Sequence, residues 1–235
     1  MKMLVLAGGM GSRLSPLALG VPKALAPIGS TPFLDLQLQQ WRKQGIREFI
    51  FLLHHQSDQL VAFLQKIIDQ DLGDISIRWI VEPTPLDTGG AIAYAVDRMS
   101  LGESFLLTNA DTWLEGGVQA LINSQDQSIA VVEVNDVGRY GQIIFNNKFK
   151  ITAFSEKNSI EKNGWINAGF YRLSPSLFQG WDGLPFSLER DLFRRLLKEG
   201  GLMAVPLKTD FIDIGIPDDY YRYCHWIESG KAAKL

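Results

Sequence analysis

The chain has 235 residues, 46% of them hydrophobic, which is enough apolar material for one domain with a substantial core and excludes a disordered chain. Its net charge is −3 with no long run of like charges, so neither nucleic acid nor an anionic membrane surface is an expected partner, and any anion site must be built locally. Cys224 is the single cysteine, which excludes an internal disulfide and a cysteine-rich metal site, and with no signal-like segment or membrane span in the sequence a cytoplasmic protein is expected.

In chain order, Met3 to Leu6 is a short apolar run that stops at Ala7, Gly8 and Gly9, with a further glycine at Gly11. That pattern predicts a strand feeding a glycine loop. Leu34, Leu38 and Trp41 recur at helical spacing, with Gly45 as the cap. Glu48 to Leu53 reads as a second buried strand. Leu60, Phe63, Leu64, Ile67 and Ile68 mark one face of a helix, and Ile75, Ile77, Trp79 and Val81 alternate as a strand. Strand, helix, strand, helix, strand implies a parallel sheet with right-handed crossovers.

A further helix over Ile92 to Met99 is expected to be entered through Thr88-Gly89-Gly90. Phe105 to Leu107 reads as a central strand ending at Asn109-Ala110-Asp111. Ligands of open parallel sheets sit outside the carboxyl ends of the strands, and Gly8, Glu82 and Asp111 all fall at such ends.

The second half changes character. Ile129 to Val134, Gly141 to Phe145 and Ile151 to Phe154 are predicted as short strands, with Asn146-Asn147-Lys148 as a hairpin turn. A helix over Ser187 to Glu199 ends at Gly200-Gly201. Phe211 to Asp213 is a last strand, and Pro217 opens the closing helix. The expected fold is α/β: a doubly wound, mostly parallel mixed sheet. It forms one domain, with a first half over residues 1–125 and a substrate-facing second half over 126–235. The aromatic tail YYRYCHW could cover this sheet or that of a second copy in a homodimer.

Glycines after a strand let main-chain N–H groups line an anion site, and Arg13 and Lys23 add cations, so a phosphate chain is the candidate ligand. A P-loop would need Lys-Ser/Thr directly after its last glycine, whereas Ser12-Arg13 follows Gly11. Gly8, Gly9 and Gly11 do not have the dinucleotide spacing that a NAD-type oxidoreductase needs. A tight turn without a ligand is the remaining alternative.

The run LAGGMGSRLSPLALGVPKALAPIGSTPFL resembles the signature of the sugar-phosphate nucleotidyltransferases. The likeness continues through LDTGGAI, NADTWL, FSEK, INAGFY and FIDIGIPDDY in the family's order, over nearly the whole chain. It implies a Rossmann-like, GT-A-like fold and transfer of a nucleoside monophosphate from a triphosphate to a sugar 1-phosphate, with release of pyrophosphate. Within the family, the FIDIGIPDDY and GVPKALAPIGSTPFL runs most resemble heptose 1-phosphate guanylyltransferases. Guanylylation of mannose 1-phosphate, uridylylation of N-acetylmuramate 1-phosphate, thymidylylation or cytidylylation of glucose 1-phosphate, and a catalytically silent regulatory subunit are the alternatives.

The resemblance assigns residues. Arg13 and Lys23 are expected on the triphosphate, and Asp111 and Asp213 on Mg²⁺. Leu6, Ala7, Gly8, Gly9, Gly11, Ser12, Thr88, Gly89 and Asn109 complete the nucleotide set. Glu82 falls where a polar residue contacts the base, and its carboxylate suits guanine, which offers two adjacent donors. For the sugar phosphate the pattern points to Tyr140, Gly141, Glu156, Lys157 and Asn167. Asp213, flanked by Ile212 and Ile214, would be costly to bury unpaired. His54-His55 has no third ligand in the sequence and reads as a strand end. Ala110 stands where the family usually has glycine.

Overall fold

A computed structural model of the chain describes residues 1–9, 20–70, 73–138, 140–155 and 163–231. Its first half contains β1 (Lys2–Leu6), β2 (Pro27–Ile28), β3 (Thr31–Pro32), α1 (Phe33–Lys43), β4 (Glu48–Leu53), α2 (Ser57–Asp69) and β5 (Ser76–Val81). Then come α3 (Asp87–Arg98), β6 (Phe105–Asn109), β7 (Thr112–Leu114), α4 (Val118–Ile122) and β8 (Ser128–Val134). The remainder is β9 (Gln142–Phe145), β10 (Ile151–Ser155), β11 (Gly164–Leu173), a π-helical segment Leu188–Phe193 running into α5 (Arg194–Glu199), β12 (Met203–Leu207), β13 (Phe211–Asp213) and α6 (Pro217–Glu228).

Seven strands are hydrogen-bonded in the order β12-β8-β11-β6-β1-β4-β5. The pairs β1–β4, β4–β5 and β12–β8 are parallel, and β11–β8 is antiparallel, so the sheet is mixed and mostly parallel, as the sequence led us to expect. The chain forms two compact units. The first comprises residues 1–84, 108–115 and 210–235, and the second residues 85–107 and 116–209.

In the first unit, Met3, Leu4 and Val5 and the run from Phe49 to Leu53 are buried without regard to side-chain parity. That is the mark of parallel strands covered on both faces. In α2, Leu60, Leu64 and Ile67 face inward at helical spacing. Pro217 begins α6. Tyr220 and Tyr223 of that helix pack with Phe33, Trp113, Ile212 and Ile214, so the aromatic tail covers the core of its own unit. Trp41 is likewise buried.

In the second unit, β11 carries a register shift between Asn167 and Tyr171 against β8. The Asn146 turn joins β9 to β10, with the Phe149 N–H donating to the Asn146 carbonyl at 2.9 Å. Two elements differ from expectation. The glycines at 89 and 90 lie inside the first turn of α3, which starts at Asp87. The Phe186 ring explains Gly89: a Cβ there would lie 2.2 Å from the ring, so close packing, and not a loop, demands the glycine. The helix expected over 187–199 is π-helical through Phe193 before becoming α-helical, and Gly200 ends it at φ +70°.

Candidate active site

The first unit draws three charged side chains together. Lys23 opens a short 3-10 turn after Pro22, Asp111 sits in the connection between β6 and β7, and Asp213 ends β13. Because β13 pairs antiparallel with β7, Asp213 stands opposite Thr112, one residue from Asp111. Lys23 Nζ donates to Asp111 Oδ2 at 2.5 Å and to Asp213 Oδ1 at 3.5 Å, and its side chain is only 10% exposed. Thr112 Oγ1 donates to the other Asp111 oxygen at 3.2 Å, and the Gly215 N–H donates to Asp213 Oδ1 at 2.7 Å.

Two carboxylates thus share one ammonium. Gly215 permits the approach, since a Cβ there would fall 2.7 Å from Asp213 Oδ1 and 3.0 Å from Lys23 Nζ. From α1, Gln37 braces the site by donating to the Thr112 carbonyl at 2.7 Å.

A second group forms at the carboxyl ends of β1, β4 and β5. Ala7 donates to the Leu52 carbonyl, Glu82 to that of Leu53, and Ala110 to that of Leu6. Gly8 is the tight point: a Cβ there would lie 3.1 Å from both Cβ and N of His54 and 3.4 Å from Glu82 Oε1. Glu82 is buried among these residues, and Gly9 and Asn109 are more open. His54, read from sequence as a strand end, therefore also forms part of the wall beside Gly8. Gly11, Ser12 and Arg13 lie outside the described residues.

In the second unit, Asn167 Nδ2 donates to the Tyr171 hydroxyl at 2.9 Å, while Asn167 Oδ1 accepts the Gly169 N–H at 2.9 Å. Tyr171 donates in turn toward Glu189, which also receives the Thr88 hydroxyl at 3.1 Å. Thr88 is held further by the Leu188 N–H at 2.9 Å, and Gly89 donates to the Phe186 carbonyl. Tyr140 and Gly141 both donate to the Val137 carbonyl. Glu156 and Lys157 lie outside the described residues. Sequence reasoning missed Glu189, Tyr171 and Gly215. For Gly215 the FIDIG motif was a signal, while nothing local marks Glu189.

The arrangement suits phosphate chemistry: main-chain N–H groups at a strand end, a fixed ammonium and two carboxylates in one unit. Residues 2–229 match the model of the nucleotidyl transferase family. The chain is 32% identical, over 95% of its length and 98% of the relative's, to the D-glycero-alpha-D-manno-heptose 1-phosphate guanylyltransferase of Campylobacter jejuni. It is 33% identical over 94% of its length to a probable mannose-1-phosphate guanylyltransferase of Oryza sativa, of which it spans 63%. HddC from Yersinia pseudotuberculosis, whose crystal structure is 32% identical over 96% of this chain and 99% of that one, superposes with a TM-score of 0.84. A crystal structure of HddC complexed with GMP-PN gives a TM-score of 0.82. Matched along almost its whole length by that family model, this chain belongs to the nucleotidyl transferase family.

Proposed function

We propose that the protein transfers GMP from GTP to a sugar 1-phosphate, D-glycero-alpha-D-manno-heptose 1-phosphate in the first instance, releasing pyrophosphate. The observation that carries this reading is Lys23 held between Asp111 and Asp213 beside a glycine-ended strand. A sugar phosphate is largely ionised at neutral pH, because its second pKa is about 6, so an oxygen can attack the α-phosphorus in line without a general base. The difficulty is electrostatic: two polyanions meet, and charge grows on the leaving pyrophosphate. Lys23 meets that charge with an ammonium already oriented by two carboxylates. Arg13, by its place in the motif, would take the β- and γ-phosphates, where its planar fork fits.

Mg²⁺ fits the donor set. It binds through one or two carboxylates and completes its shell with phosphate oxygens and water. By their place in the family's motifs Asp111 and Asp213 are the side chains that would hold it, and among the described residues no group of three or more His, Cys, Asp or Glu converges. When bound it would neutralise charge on the phosphates as a Lewis acid.

For the base, Glu82 supports guanine. Its buried carboxylate stands by Gly8, and a base lying against Gly8 would offer it N1–H and the exocyclic amino group as paired donors. For the sugar, the likeness of the FIDIGIPDDY and GVPKALAPIGSTPFL runs to heptose 1-phosphate guanylyltransferases, together with the Campylobacter relative, supports heptose, and mannose is the second reading. Asn167, Tyr140, Gly141, Glu156 and Lys157 would bind the sugar phosphate. The product would feed surface glycans such as lipopolysaccharide, capsule or S-layer, and the reaction would run in the cytoplasm. No helix among the described residues is long and apolar enough to cross a membrane.

The test is pyrophosphate release with Mg²⁺ across GTP, UTP, CTP, dTTP and ATP, each paired with heptose, mannose, glucose and N-acetylmuramate 1-phosphates. Release with GTP and heptose 1-phosphate supports the full reading. Release with GTP and mannose 1-phosphate moves the acceptor to the second, and silence across the panel overturns the proposal in favour of a regulatory, non-catalytic protein.

A further inference from the structure

Glu189 lies outside every motif that carries the proposed activity, yet it gathers hydroxyls from three parts of the second unit. Its Oε2 accepts from Thr88 Oγ1 at 3.1 Å and from Ser187 Oγ at 3.4 Å, and its Oε1 accepts from the Tyr171 hydroxyl at 3.5 Å. Tyr171 is buried, 1% exposed, and its oxygen accepts the Asn167 carboxamide at 2.9 Å.

We infer that Glu189 is a positioning residue that fixes the orientation of the Asn167 carboxamide through the Tyr171 hydroxyl. A carboxylate only accepts, so each hydroxyl around it must spend its single proton on it. Tyr171 is thereby left as an acceptor for Asn167 Nδ2. At the other end of the same carboxamide, the Gly169 N–H can only donate, and it claims Oδ1. Both ends require the same flip, which leaves Asn167 one amide proton and one carbonyl lone pair for a ligand hydroxyl. This step rests on the reading that Asn167 binds the sugar.

The backbone around the relay is irregular where the relay needs it. Glu189 lies in the π-helical segment capped by the Ser187 side chain, and Asn167 and Tyr171 flank the register shift in β11. Single π-turns and β-bulges are uncommon in regular elements and re-aim side chains at functional sites. Leu188 in the π-helical segment also donates its N–H to Thr88, so Thr88 must direct its own proton at Glu189.

Glutamine at 189 breaks this polarity whichever way its amide faces. With the NH₂ toward Tyr171, the tyrosine proton meets a donor in place of the Glu189 oxygen. With the NH₂ toward Thr88 and Ser187, their protons do.

Two readouts test the relay. In protein labelled with ¹⁵N only at asparagine, the Asn167 side-chain amide pair is identified by its loss in Asn167→Ser. Glu189→Gln and Tyr171→Phe should both shift that pair while the other asparagine signals stay in place. If neither variant moves it in folded protein, the relay does not exist. In steady-state kinetics, Glu189→Gln should raise the KM for the sugar 1-phosphate about tenfold, the scale of one hydrogen bond, and leave the KM for the nucleotide within about twofold. The Glu189→Gln/Tyr171→Phe double variant should be no worse than the worse single one. Equal rises in both KM values, or additive losses, overturn the positioning role. The NMR arm needs no turnover, so it judges the relay even if wild-type protein transfers nothing, a result that would sink the proposed activity alone. Tyr171→Phe carries the test should Glu189→Gln fail to fold.

Discussion

Replacing Lys23 by methionine keeps most of the side-chain volume and removes the ammonium between Asp111 and Asp213. At separations of 2.5 and 3.5 Å the two attractions come to about 7 and about 5 kcal/mol at an effective dielectric of ~20. These figures overstate the loss. Asp111 is 32% exposed, so solvent screens the stronger pair, and water can rehydrate the carboxylates once the lysine is gone. We expect Lys23→Met to cost about 2–3 kcal/mol of stability, below the ~3–5 kcal/mol typical of breaking a fully buried pair. Neutralising one carboxylate should relieve the clash, so Lys23→Met/Asp111→Asn should lose at least about 1 kcal/mol less than the sum of the singles. Urea unfolding at neutral pH measures the cycle. Pyrophosphate release should fall about 10²- to 10³-fold in Lys23→Met, as for other preorganised charge-stabilising donors. Additivity within about 0.5 kcal/mol would refute the shared-ammonium reasoning, and unchanged turnover would remove Lys23 from the reaction.

Gly215→Ala puts a Cβ 2.7 Å from Asp213 Oδ1 and should lower both stability, by about 1–3 kcal/mol, and turnover; a variant with wild-type Tm and kcat would show that the group yields freely. Gly89→Ala drives a methyl into the Phe186 ring and should cost about 1–3 kcal/mol in urea unfolding, whereas an unaltered midpoint would contradict the packing role of this glycine. Glu82→Gln should lower the kcat/KM preference for GTP over UTP about tenfold or more, and an unchanged ratio would end its role in reading the base. Tyr220, whose hydroxyl donates to the Pro27 carbonyl, is pushed up to about 12, first by burial and then by the neighbouring Cys224. The folded protein therefore holds this proton more firmly than the unfolded chain does. Its contribution is complete below pH ~10 and is lost as the pH rises toward 12, by up to about 1.4 kcal/mol per pH unit. Tyr220→Phe should flatten the fall in stability over that window, and identical slopes in the two proteins would refute the burial argument.

How much of this was legible in the sequence depends on how local each cause is. The β1 strand and its glycine ending, three of the five residues expected on the inward face of α2 (Leu60, Leu64 and Ile67, with Ile68 instead exposed), the Gly200 stop and Pro217 at the head of α6 follow from neighbouring residues, and the structure has them. Asp213 between two isoleucines announced that it needed partners, and Lys23 and the Gly215 N–H are among them. The start of α3 was misplaced because Thr88-Gly89-Gly90 has poor helix propensity, which contact with Phe186, nearly a hundred residues on, overrides. The π-turn at Leu188–Phe193 leaves no periodic signal distinct from an α-helix. Glu189 was invisible for a related reason, since its partners Thr88 and Tyr171 meet it only through the tertiary fold.

The most direct test of the central claim follows the phosphorus atoms. GTP labelled at the α-phosphate and GTP labelled at the γ-phosphate are each incubated with Mg²⁺, the protein and heptose or mannose 1-phosphate. The account predicts α-label in a sugar-linked nucleoside diphosphate and γ-label in pyrophosphate, in equal amounts. Label from the γ-position appearing as inorganic phosphate, or α-label never leaving GTP with any sugar 1-phosphate, would contradict it.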